Sequence, residues 1–333
     1  MADNKGVLIC GECVDGKLAS VTLELLGIGR KLADDLGEKL CAVLLGDKVS
    51  GLAQEAIAFG ADSVYVIESP LLKDYVTDPY VAAMEKLCKE VKPNIVLMAQ
   101  TPVGRDLGPR LAFRLGTGLT MDCLALSIDP ATKLMRQTKP VYGGNALAIV
   151  VCEKSRPQMA TVRPKSMSAL EKNASRKGEV VPFDGGIDAS KIRVKFLEKV
   201  KEKVEGVKLE DAQVVVVGGR GMGGPEAFGA LRDLAKLLGG AVGATRPPCD
   251  SGWLPATSQV GLTGKLVTPR LYIGVAVSGA SQHLAGCSGS KNMVAINKDP
   301  EANIFKVCQY GVVGDFKKVL PPFTAKVKEL LSG

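Results

Sequence analysis

Between residues 6 and 99, short apolar runs alternate with stretches of helical periodicity, and this rhythm constrains the fold more than any other feature. Gly6-Val7-Leu8-Ile9-Cys10 reads as a buried strand. Leu18, Val21, Leu25, Ile28, Leu32 and Leu36 then recur at three- and four-residue spacing, which puts them on one face of a helix. Gly37 follows, the residue best able to take the left-handed conformation that closes a helix. The pattern continues with a strand at Leu40–Leu45, a short helix at Leu52–Phe59 and a strand at Val64–Ile67. A helix near Pro79–Val91 and a strand at Ile95–Ala99 complete it, with Pro79 in the first turn, where its missing N–H costs nothing. Strands joined through helices pair in parallel, because a parallel partner is reached only by a crossover. The expected fold class is α/β, beginning with a three-layer α/β/α domain around a mostly parallel sheet.

After Thr120 the rhythm changes. Cys123–Ile128, Leu134–Thr138, Ala146–Cys152 and Met159–Val162 are strand-like runs with only turns between them, read as an antiparallel or mixed extension of the sheet. Lys165 to Ala189 is polar, with Gly178, Pro182, Gly185 and Gly186, and reads as a surface excursion. Ile192–Phe196 reads as one more strand. A new unit begins around Glu205-Gly206: a strand at Val214–Val217, a glycine-rich turn, a helix at Pro225–Leu238, strands at Tyr272–Val277 and Met293–Ile296, and a last helix at about Thr324–Leu331. The expected domains are residues 1–205 and 206–333, the second Rossmann-like, and 333 residues is a length that suits two domains.

Several function classes drop out. The longest unbroken apolar run, Ala146–Cys152, has seven residues. A membrane span needs about 20. The 43 basic and 35 acidic residues leave a net charge of +8, yet the densest basic stretch, Lys191–Lys203, alternates with apolar and acidic residues. No basic stripe interleaved with aromatics marks a nucleic-acid surface. Met1–Lys5 opens no leader pattern, and nine cysteines without framework spacing suit free thiols in a reducing compartment. A cytoplasmic location is expected.

Chemistry concentrates in the second half. Gly219, Gly221 and Gly224 fit G-x-G-x-x-G between a strand and a helix, where backbone can approach a pyrophosphate. A nicotinamide fold places an acid about 20 residues on, to bind ribose. Here Thr245-Arg246 stands there. Gly261-Leu262-Thr263-Gly264-Lys265 offers backbone N–H groups, a hydroxyl and a cation, but Leu266 follows the lysine, so the P-loop pattern fails and NTP hydrolysis is not expected. Ser278-Gly279-Ala280-Ser281-Gln282-His283 carries the only histidine in the chain, at a strand-to-helix junction. Asn297, Asp299 and Asp315 suit ribose hydroxyls or turn capping. Cys10-Gly11-Glu12-Cys13 has redox spacing, but ends a strand rather than opening a helix, and has no second pair to complete a zinc site.

Taken in order, Gly218-Gly219-Arg220-Gly221, Thr245-Arg246, Asp250-Ser251-Gly252-Trp253, Val260–Lys265, Ser278–His283, Ala295-Ile296-Asn297 and Gly311–Asp315 resemble the motifs of electron transfer flavoprotein alpha subunits, the FixB family. Gly104–Leu111, Gly116–Thr120, Gln137–Pro140 and Gly143–Asn145 extend the resemblance over nearly the whole chain. It departs at Leu262, where the family pattern has Gln, and at Ser281, where it has Ile.

The resemblance implies one FAD in the C-terminal domain and a heterodimer with a beta subunit. It implies an electron carrier rather than a stand-alone enzyme, serving flavin dehydrogenases such as acyl-CoA dehydrogenases, or an NADH-dependent bifurcating complex. Reduction puts negative charge on the flavin N1–C2=O edge, and a fixed cation beside that edge stabilises it. Arg246 is the expected cation, His283 the expected partner of the flavin carbonyl, and Thr263 the expected donor to N5. Arg220 and Ser278, Gly279, Ala280, Ser281 and Gln282 would serve the pyrophosphate and ribityl chain. Thr245, Val260, Gly261 and Leu262 would line the site, and Asn297 and Asp315 with Phe316 would hold the adenosine end. Two alternatives stay open: a nicotinamide-dependent dehydrogenase using the Gly219–Gly224 turn, and an adenine-nucleotide module in the N-terminal half.

Overall fold

The computed structural model describes residues 4–144, 146–198 and 207–332. It divides into two compact units, Met1–Val141 with Leu147–Lys199, and Tyr142–Ala146 with Val200–Gly333. The expected boundary near residue 205 lies outside the described residues.

In the first unit β1 (Val7–Gly11) leads through the two-residue strands β2 (Cys13–Val14) and β3 (Lys17–Leu18) into α1 (Ser20–Leu36). There follow β4 (Leu40–Gly46), α2 (Ala53–Ala58), β5 (Ser63–Glu68), α3 (Thr77–Val91), β6 (Ile95–Ala99) and α4 (Pro102–Leu115). Next come β7 (Leu119–Cys123), β8 (Ala125–Ile128), β9 (Met135–Val141), β10 (Ala146–Val150), β11 (Gln158–Val162) and β12 (Glu179–Pro182). Among the described residues the main sheet runs β12-β5-β4-β1-β6-β11-β7, with parallel pairing. Val7 and Ile9 pack into one apolar core with α1, Leu8 and Cys10 into another with α3 and α4. Burial on both faces explains why the strand reads as a continuous apolar run. Gly37 closes α1 at φ 68°, as the sequence predicts.

Three expectations for this unit change. β7 and β11 belong to the parallel sheet, while β8, β9 and β10 form a separate one in which β8 and β9 are antiparallel. The polar stretch 165–189 is laid onto the unit: the Ser168 carbonyl sits against Gly27 of α1, and β12 extends the sheet beside β5. Ile192–Phe196 is not a strand; Arg193 is held instead by a bidentate pair with Asp78 at 2.8 and 3.1 Å.

The second unit is a five-stranded parallel sheet, β14-β13-β15-β16-β17, built from β13 (Val214–Gly218), β14 (Ala241–Ala244), β15 (Leu271–Val275), β16 (Asn292–Asn297) and β17 (Tyr310–Val313). Its helices are α5 (Phe228–Leu237), α6 (Arg246–Asp250), α7 (Ser281–Cys287) and α8 (Phe316–Ser332). Val215 and Val217 face one core and Val216 the other, again burying both sides. The chain leaves β13 for β14 on one side and returns to β15 on the other. The strand order therefore reverses between β13 and β15, and a crevice opens at such a switch point, beyond the strand C-termini.

Candidate functional site

A cleft of about 690 Å³ occupies that crevice. Its floor is the turn after β13 and the segment after β15. Gly219 donates its N–H to the Val275 carbonyl at 2.9 Å, and a Cβ there would lie 2.0 Å from the Ala276 oxygen. Only glycine lets these two backbones approach so closely, so the glycine of the turn is fixed by packing as well as by any ligand. Ala276 itself sits at φ 53°, a left-handed conformation costly for a residue with a Cβ.

One wall is the Gln259–Val267 segment, strapped to α7. Leu262 N–H donates to the Gln282 carbonyl at 2.7 Å, and Val267 N–H to Gly286 at 2.8 Å. His283 Nδ1 lies 2.9 Å from the Val260 oxygen. A Cβ on Gly286 would come within 2.4 Å of Gly261 Cα, so helix and loop touch backbone to backbone. Within the loop, Gln259 Nε2 donates to Thr263 Oγ1 at 2.9 Å, which leaves the threonine hydroxyl proton available to a ligand. Lys265 pairs with Glu210 and does not line the cleft.

His283 is buried, and both of its nitrogens are engaged within the protein. The Val260 oxygen only accepts, so Nδ1 carries the proton. Nε2, 2.7 Å from the Tyr272 hydroxyl, must then accept from it. Burial also pushes the imidazole pKa down, favouring the neutral ring. Both imidazole nitrogens are thus engaged within the protein, and the residue anchors the loop while also lining the cleft.

Thr245 follows β14 as the N-cap of α6, its N–H donating to the Gly218 carbonyl at 3.0 Å, and Arg246 opens α6 at the cleft mouth. Arg246 Nε is 3.1 Å from Asp250 Oδ2, and both side chains are largely exposed. Arg220 lies on the rim beyond Gly219, and Ser278, Gly279, Ala280 and Gln282 line the side below α7. Ser281 is the exception: it opens α7, exposed, and does not line the cleft. Asn297 Nδ2 donates to the Val277 carbonyl at 2.8 Å and borders both the cleft and a neighbouring recess of about 190 Å³. Asp315 and Phe316 line that recess only. Asp315 Oδ1 also accepts from Lys317 N–H at 2.9 Å, capping α8, which is the turn-capping role foreseen for it. Sequence reasoning missed Pro247 as a lining residue and gave no role to Gln259 or Tyr272.

Other candidates lose their chemistry. Burial drives the Cys10 thiol pKa far up and that of Cys13 to about 11, so neither is a ready thiolate. A groove of about 830 Å³ beside α3 and α4 is lined by ions that pair among themselves, including Arg193 with Asp78 and Lys89 with Glu85. Among the described residues no group of three or more metal-ligating side chains gathers, and no helix is long and apolar enough to cross a membrane.

The family model described as electron transfer flavoprotein domain matches residues 7–185, and that described as electron transfer flavoprotein FAD-binding domain matches residues 208–288. The chain belongs to the electron transfer flavoprotein alpha-subunit family. It is 49% identical over 330 residues to the electron transfer flavoprotein subunit alpha of Thermoanaerobacterium thermosaccharolyticum, covering 99% of this chain and 100% of the relative. To the alpha subunit of Megasphaera elsdenii it is 48% identical, covering 99% and 98%. It is also 36% identical to the lactate dehydrogenase (NAD(+),ferredoxin) subunit LctC of Acetobacterium woodii, covering 97% of this chain and 77% of that one. The FAD-binding domain makes FAD the cofactor and electron transfer the role. The cleft fits such a group: it is elongated by the adjoining recess, floored by close-packed glycine turns, and rimmed by Arg220 and Arg246. Asn297, Asp315 and Phe316 fall beyond the stretch matched by the FAD-binding model.

Proposed function

We propose that the second unit holds FAD with its ring system against the Val260–Thr263 loop and Arg246, its pyrophosphate between Arg220 and the Ser278–Gln282 segment, and its adenosine toward Asn297, Asp315 and Phe316. The bound flavin supplies reversible electron uptake. The chain supplies a cation at the mouth, a hydroxyl donor at Thr263, and a dry wall made rigid by α7. The chain would act with a beta subunit in the cytoplasm, accepting electrons from a flavin dehydrogenase such as an acyl-CoA dehydrogenase. The observation that carries this reading is the cleft at the β13/β15 switch point, with Thr245-Arg246 directly after β14, where a nicotinamide fold would present an acid. That cation favours an anionic redox group over a ribose diol and disfavours the nicotinamide alternative.

A second reading, NADH-dependent bifurcation, is supported by the similarity to the Acetobacterium woodii subunit, whose name couples NAD(+) and ferredoxin. Flavin stoichiometry in the purified heterodimer tests both. One FAD fits the simple carrier and two fit the bifurcating complex. A colourless protein that binds NAD tightly would overturn both.

A further inference from the structure

The Asp250-Ser251-Gly252-Trp253 motif lines no part of the cleft, yet it ends the helix that carries Arg246. That helix, α6, has five residues, too few to hold a helical turn unaided, and it is clamped at both ends. Pro247 stands in its first turn, where a missing N–H costs nothing. At the other end Trp253 N–H donates to the Pro248 carbonyl and Gly252 N–H to the Cys249 carbonyl, both at 2.9 Å. These nested bonds, with Gly252 left-handed at φ 72°, form a Schellman closure. A Cβ on Gly252 would meet nothing within 4 Å, so the turn requires glycine and the packing does not. Trp253 then stands edge-on to Phe228 of α5, ring centroids 6.4 Å apart, which pins the closure to the apolar core.

Clamped in this way, α6 holds Arg246 and Asp250 one turn apart, where side chains four residues apart meet. Arg246 Nε is 3.1 Å from Asp250 Oδ2. The direction of this bond is fixed by chemistry: a guanidinium only donates and an ionised carboxylate only accepts. Arg246 lines the cleft and Asp250 does not, so the carboxylate takes the guanidinium from outside the ligand space. We propose that Asp250 is a positioning residue for Arg246: by taking Nε it fixes the side chain at the cleft mouth and leaves both terminal nitrogens to an anionic ligand. Gly252 and Trp253 serve the same end by holding Asp250 in place. With 66% and 61% of the two side chains exposed, the ion pair adds little to stability. Its consequence is where the cation stands rather than whether the unit folds. The proposal rests on the reading of Arg246 as the flavin cation.

Asp250→Asn and Asp250→Ala remove the same charge, but only the asparagine still offers an oxygen to Nε. In the heterodimer the Asn variant should therefore hold a flavin potential above that of the Ala variant, by about threefold in the two-electron equilibrium, or about 14 mV. The Ala variant should also bind FAD about threefold more weakly than the Asn variant. Repeated in an Arg246→Ala background, the two variants should coincide in both quantities, because no guanidinium is left to place. Equal potentials and equal FAD affinities with Arg246 present overturn the proposal. So does a difference that survives Arg246→Ala, since the side chain at position 250 would then act on the flavin without the cation. An Ala variant that melts well below the Asn variant also overturns it, because Asp250 would then be a support of α6. If Arg246→Ala by itself leaves the potential unchanged, the reading of Arg246 fails and the proposal with it. If Arg246→Ala lowers the potential while the Asn and Ala variants agree, the reading stands and only the proposal fails.

Discussion

Gly286→Ala separates two physical arguments of opposite sign. Gly286 lies in α7, and on helix propensity alone alanine gains up to about 1 kcal/mol over glycine. The packing argues the reverse. The new Cβ would stand 2.4, 2.5 and 2.7 Å from Gly261 Cα, N and C, all backbone atoms with no side chain able to swing away. Restoring an ordinary carbon contact requires α7 and the loop to part by about 1 Å. The bonds joining them, now 2.7 to 2.9 Å, would then open past the range in which a hydrogen bond is effective. Three such bonds at about 1 kcal/mol each outweigh the propensity gain and leave a net loss of about 2 kcal/mol. For a unit of this size that lowers Tm by about 4–8 °C. The same displacement moves the cleft wall, so FAD should also leave more readily. Gly229→Ala in α5 is the control, because a Cβ there meets nothing within 4 Å and only the propensity gain remains. Thermal melts of the two variants against the wild type decide the matter. A Gly286→Ala protein that melts at or above wild type would refute the steric reasoning.

Arg246→Ala should lower the flavin potential of the heterodimer by about 30 mV or more, tenfold in a two-electron equilibrium; an unchanged potential in redox titration would remove Arg246 as the flavin cation. The Arg193 pair holds the Asp78 carboxyl at about 2, below its ordinary 3.8, so its contribution is present above about pH 4 and is lost as pH falls through about 2. Arg193→Gln should bring the Asp78 titration back toward 3.8 by carboxyl NMR, and a value still near 2 would assign the depression to another cause. With its thiol pushed up to about 11, Cys13 should alkylate far more slowly at pH 8 than an unhindered thiol, and buried Cys10 more slowly still. Mass spectrometry after brief iodoacetamide treatment of the native chain tests this, and early labelling of either residue would contradict it.

What the sequence disclosed and what it hid divide along a physical line. β1, α1 and β4 were legible because each buries a continuous run or a periodic stripe, and the signal lies within one element. α4 was not, because Gly104, Gly108 and Pro109 look like turn residues. In the fold, Gly104 is required since a Cβ would meet the Ala99 oxygen at 1.9 Å, and a Cβ on Gly108 would stand 3.0 Å from Leu119. These are close-packing glycines within a helix, and sequence alone does not distinguish them from loop glycines. β12 was hidden for a related reason: four residues in a polar stretch become a strand only because β5 offers an unpaired edge. The first half of α8 was obscured by Pro321 and Pro322, which the helix accommodates. The site follows the same rule. Arg246, Thr263 and His283 could be found from their motifs, but the bonds of His283 could not. Its proton position is set by a carbonyl in a different loop, and its second nitrogen is met by Tyr272, eleven residues away in the preceding strand. A motif names the residues that surround a ligand, whereas the hydrogen-bond inventory of the folded site decides which of them still has a proton to give.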